Sequence, residues 1–87
     1  MIKKYKSKPK IIEAIQFDGS NQDDICLMSD CFSYHLPTNT ILFYTPIETI
    51  PINIGDYIKV SAFGEYFYSH KEAFEASYEE VDGEGVE

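Results

Sequence analysis

The 87-residue chain contains no tryptophan and no arginine, and only two cysteines. Without arginine there is no guanidinium fork for bidentate phosphate contacts, and the lysines do not recur along the chain, so nucleic acid is not an expected partner. Cys26 and Cys31 lie five residues apart and can close only one small loop, which excludes a disulfide framework. Both are read as reduced thiols, and the expected compartment is the cytoplasm. No apolar run approaches the ~18–20 residues needed to cross a bilayer. No apolar stretch follows the charged start, so a secretory leader is not expected. A Gly-rich phosphate-binding loop is missing as well; Gly55 and Gly64 are isolated turn glycines.

What is present is acid, and it is unevenly placed. Five of the seven lysines fall in the first ten residues (Lys3, Lys4, Lys6, Lys8, Lys10). From residue 11 onward two lysines, Lys59 and Lys71, stand against all fifteen acids. Residues 1–9 are therefore expected to form a basic arm that docks on an acidic body or keeps the chain in solution, and residues 82–87 a disordered acidic tail. A chain this short buries only about 60–65% of its unfolded surface, so one compact domain over 1–81 with a small core is expected.

The periodicity predicts an α+β fold: a small, mostly antiparallel sheet of about five strands with two short helices. Residues 11–17 are β-branched and aromatic on both alternating faces, which suits a central strand. Asp18-Gly19 ends it, and Ser20 is the expected N-cap of a helix over 21–29 that buries Ile25 and Met28. Residues 32–36 and 40–45 read as strands joined by Pro37-Thr38-Asn39. A further extended piece over 47–53 contains Pro51, which places it at an edge.

The most legible stretch is 54–81. Gly55-Asp56 is a turn, Tyr57–Ser61 and Glu65–Ser69 are strands, and Ala62-Phe63-Gly64 is a three-residue hairpin loop with glycine at the left-handed position. That loop pairs Ser61 with Glu65, Val60 with Tyr66 and Ile58 with Tyr68. Ile58, Val60, Tyr66 and Tyr68 then share one face, and Tyr57, Lys59 and Phe67 the other. Ser69 with Glu72 resembles a capping box opening a helix over 70–78, with Ala73, Phe74 and Tyr78 buried.

No run of residues carries recognisable catalytic chemistry, and the chain is read as a non-enzyme with no cofactor and no metal. Cys26, Cys31, His35 and His70 have the donor types of a zinc site, but the spacing is loose and Cys26 falls in a helix rather than at a knuckle. The same four offer thiol–imidazole pairs, as any chain with two Cys and two His does. The acids Asp23-Asp24 and Glu79-Glu80 are accounted for by a helix first turn and a solvated tail. The aromatics are the better candidates for function. Tyr57, Phe63, Phe67 and Lys59 form a candidate binding surface if nothing covers the second hairpin face; a helix or neighbouring strand lying on it would make them core instead.

Both ends of the chain resemble a family of small bacteriophage and prophage proteins of Gram-positive hosts. The likeness lies in the lysine-rich start with Lys8-Pro9, in Ile12-Glu13-Ala14-Ile15-Gln16-Phe17, in Gly55-Asp56-Tyr57-Ile58, in Gly64-Glu65-Tyr66-Phe67-Tyr68 and in Phe74-Glu75-Ala76-Ser77-Tyr78-Glu79. It covers about half the chain and leaves out 20–50. Ile54, Tyr57 and Ser69-His70 depart from the family's usual Pro, Trp and Pro-Cys. The resemblance implies a phage-encoded accessory protein in the cytoplasm of an infected bacterium and supplies no catalytic residues. With the acidic composition it leads to the expectation of a protein that binds a host protein, in one form as an anti-defence inhibitor. Two alternatives are a homo-oligomer that sequesters a small nucleotide signal, and a virion or assembly component.

Overall fold

In a computed structural model, which describes residues 2–7 and 10–80, the fold is α+β and mostly antiparallel. The chain divides into two compact units, Met1–Ile15 with Tyr57–Glu87, and Gln16–Asp56.

The first unit is built on a five-stranded sheet. Its strands are β1 (Lys3–Ser7), β2 (Lys10–Gln16), β6 (Tyr57–Val60), β7 (Tyr66–Ser69) and β8 (Glu79–Glu80), in the order β7-β6-β2-β1-β8. β2 is central, as its two apolar faces require, with Ala14 and Ile15 both buried on opposite sides. The lysine-rich start, expected as an arm, contains a strand: β1 runs antiparallel to β2 with Tyr5 opposite Ile12. Tyr5 explains the difference, because it is a buried aromatic among lysines and anchors the segment to the core. β8 closes the other side of β1, where Tyr5 faces Glu80. The expected acidic tail at 82–87 lies outside the described residues.

The hairpin has the expected register. Tyr57 faces Ser69, Ile58 faces Tyr68, Lys59 faces Phe67 and Val60 faces Tyr66. The Ser61 N–H donates to the Glu65 carbonyl at 2.8 Å, and Gly64 takes φ +81° to close the loop. The helix α2 (Lys71–Ser77) follows. Its N-cap is His70 and not Ser69: the His70 imidazole accepts from the Glu72 N–H at 3.3 Å. Ser69 is still paired with Tyr57 in the sheet, so the chain is extended there and the cap moves on by one residue. Phe74 is buried as expected, Tyr78 is half-buried, and Ala73 is exposed.

The second unit contains α1 (Gln22–Met28) and a three-stranded sheet of β3 (Phe32–His35), β4 (Thr40–Tyr44) and β5 (Thr49–Ile52), in the order β3-β4-β5. β5, with Pro51, is an edge strand as expected. Phe17, Ile25, Phe32, Ile41, Phe43 and Ile52 are buried here, and Phe32 stacks on Phe43 with ring centroids 4.9 Å apart. Ser20 does not cap α1. Its N–H and hydroxyl both donate to Asp18 at 2.8 and 2.9 Å, and those two bonds hold the Asp18 carboxyl below the usual aspartate range. Asn21 takes the cap position without a cap bond. Its side chain instead accepts from the Asp18 N–H and donates to the Gln16 carbonyl, closing the turn after β2.

Candidate functional site

The structure separates the four candidate surface residues. Tyr57 belongs to the core: it is 5% exposed and stacks on Phe74 with centroids 3.9 Å apart and planes 10° from parallel. Tyr5 meets both rings edge-on, at 5.6 and 4.8 Å. Tyr57 also donates its hydroxyl to Glu75 at 2.7 Å, and Lys71 donates to the same carboxylate at 2.9 Å. The Tyr57 bond first, then the Lys71 bond, hold the Glu75 carboxyl below the usual glutamate range. Of the two possibilities for the second hairpin face, the half that carries Tyr57 is therefore covered, by α2 and β1.

The half toward the hairpin tip is open. Phe67 is 48% exposed and Phe63 is 90% exposed. Lys59, half-buried beside Phe67, lies in an open groove of about 690 Å³. Ile12, Val60 and Phe67 supply apolar wall, and Lys59, Glu13 and Tyr78 supply the polar groups. All of these residues belong to the first unit. Among the described residues no carboxylate lies within ion-pair distance of Lys59.

A second feature was not singled out from sequence. The segment Gln16–Asp56 contains six carboxylates and no lysine or arginine, a formal charge of −6. Asp56 is buried and accepts from the Asn53 N–H, so it serves a turn. Asp18, Asp23, Asp24, Asp30 and Glu48 are exposed. Exposed apolar side chains lie in the same unit: Leu27, Leu36 and Ile47. Asp23, Asp24 and Leu27 stand three and four residues apart on the outer side of α1. The signal was in the sequence all along, as the long interval between Lys10 and Lys59. Most of that interval belongs to one body because Gln16–Asp56 forms a unit of its own.

The Cys and His residues have local roles. Cys31 donates its thiol to the Ser29 hydroxyl, His35 shares a hydrogen bond with Thr38, and His70 caps α2. Burial first, and then the Asp23 charge, push the Cys26 thiol up, which favours the protonated form over a nucleophile. Among the described residues no group of three or more His, Cys, Asp or Glu is placed to hold a metal ion, and no helix is long and apolar enough to cross a membrane.

The chain matches no protein-family model, no curated protein and no solved structure.

Proposed function

We propose that this is a non-enzymatic binding protein whose acidic second unit docks on a basic surface of a partner protein. The observation that carries the reading is the composition of Gln16–Asp56: five exposed carboxylates with no cation among them, and Leu27, Leu36 and Ile47 standing out of the same unit. Carboxylates of one sign steer a basic partner and set specificity, while exposed apolar side chains supply contact area. The likeness of both chain ends to small phage proteins supports a phage-encoded accessory protein with a partner in the bacterial host's cytoplasm, and inhibition of a host defence protein is one form that such binding takes.

Capture from a Gram-positive bacterial lysate with the tagged full chain tests the reading. The expected result is a discrete protein retained at low salt and released as salt rises, because rim charges are screened over a Debye length of about 10 Å at 0.1 M. Retention that ignores salt, or no retained protein at all, contradicts it.

A further inference from the structure

We infer that the β6–β7 hairpin is a self-association surface, and that the groove along its tip half receives Phe63 from the hairpin of a second copy of this chain. The inference stands on the first unit and does not depend on the acidic surface of the second.

Phe63 has no role in its own fold. A three-residue hairpin loop needs glycine at its left-handed position, which Gly64 supplies, and makes no demand for an aromatic beside it. Yet Phe63 stands at the tip 90% exposed. Behind it lies the groove, which runs from Ala62 and Ser61 beside the tip back along β6 to Val60 and Lys59, with Phe67 and Ile12 in its wall. One chain thus carries a protruding ring and, behind it on the same hairpin, a partly apolar recess. Two hairpins packed face to face and head to tail about a two-fold axis place each ring over the other's recess. A two-fold contact is self-complementary in this way: the same patch serves on both sides.

Charge on that face fits the arrangement. Lys59 pairs with Phe67, and the next rung toward the tip joins Ser61 to Glu65, so Lys59 and Glu65 share the groove face. Reversing one hairpin over another brings each Lys59 toward the other's Glu65, making two reciprocal ion pairs for a lysine that has none among the described residues. Overall charge opposes association less here than elsewhere. The first unit holds all seven lysines against nine acids, whereas the second holds six acids and no cation.

Sedimentation equilibrium of the full chain, with variants, tests this. The wild type is expected to go from monomer to dimer as concentration rises. Phe63→Ala and Lys59→Glu each raise the dimer dissociation constant about tenfold or more, as loss of a buried aromatic anchor or charge pair does, while the urea midpoint stays close to wild type. Lys59→Glu combined with Glu65→Lys restores the dimer. A wild type that stays monomeric at millimolar concentration overturns the inference. So does a dimer indifferent to Phe63→Ala, a charge swap that fails to restore, or a nucleotide that raises the melting temperature of a monomer and loses that effect with Lys59→Glu. Partner capture by the acidic unit is expected to be unchanged in Phe63→Ala, so the two proposals fail separately.

Discussion

Phe74 makes ring contacts with Tyr57, Tyr5 and Tyr78, and it is 1% exposed. Truncating such a ring loses its transfer free energy and leaves a cavity, so Phe74→Ala is expected to cost about 3–5 kcal/mol. Against a total stability of about 5–15 kcal/mol for a domain of this size, the urea midpoint falls steeply. Phe63→Ala, at the exposed tip, is expected to leave it within about 0.5 kcal/mol. The contrast separates a ring that helical spacing assigns to the core from one that the hairpin loop holds at its tip. Alternation put Tyr57, Lys59 and Phe67 on one face correctly, but alternation says nothing of what covers a face. That depended on Tyr5, whose lysine neighbours disguise a buried strand position, and on where α2 folds back. The glycines differ in a similar way. A Cβ at Gly64 (φ +81°) meets nothing within 4 Å, whereas one at Gly19 (φ +91°) sits 3.0 Å from the Ile54 side chain. Gly64→Ala is expected to cost about 1–2 kcal/mol of backbone strain alone, and Gly19→Ala more, as read from urea midpoints.

For the elements, turn chemistry and register were the most legible features, because a three-residue loop with a left-handed glycine leaves one pairing open to the hairpin. Helix starts were less legible. At both helices a serine in the favoured capping position is already committed: Ser20 to the Asp18 carboxylate, Ser69 to the strand pairing with Tyr57. The residue after it takes the cap position, Asn21 or His70. His70→Ala is accordingly expected to lower stability by about 0.5–2 kcal/mol, and Ser69→Ala by less, with thermal melts as the check. The link between α2 and β6 gives a pH dependence. Tyr57 and Lys71 hold the folded Glu75 carboxyl below its ordinary range. The unfolded chain therefore takes up that proton first, and the stabilisation is present at neutral pH and lost as pH falls through the lower, folded value. Glu75→Gln and Tyr57→Phe are both expected to flatten the acid side of a stability-versus-pH curve. An unchanged acid limb in both variants contradicts the assignment.

For the whole molecule, charge is partitioned by fold as well as by sequence. Lys3, Lys4 and Lys6 lie in β1 and Lys10 in β2 of the first unit, and the second unit is left with acid alone. The imbalance is visible in the order of charges along the chain. Where it collects depends on Gln16–Asp56 forming a unit of its own, and local pattern marks only one of those limits: Asp56 lies in the Gly55-Asp56 turn, but β2 runs to Gln16 without a break. In the proposed function, this cation-free unit recognises the partner. The direct measurement is retention of the captured protein by two variants of matched charge change, Asp23→Asn/Asp24→Asn/Asp30→Asn in the second unit and Glu13→Gln/Glu65→Gln/Glu72→Gln in the first. The prediction is that the second-unit variant loses about tenfold or more in affinity while the first-unit variant stays near wild type. Equal loss in both, or loss confined to the first-unit variant, would contradict the account.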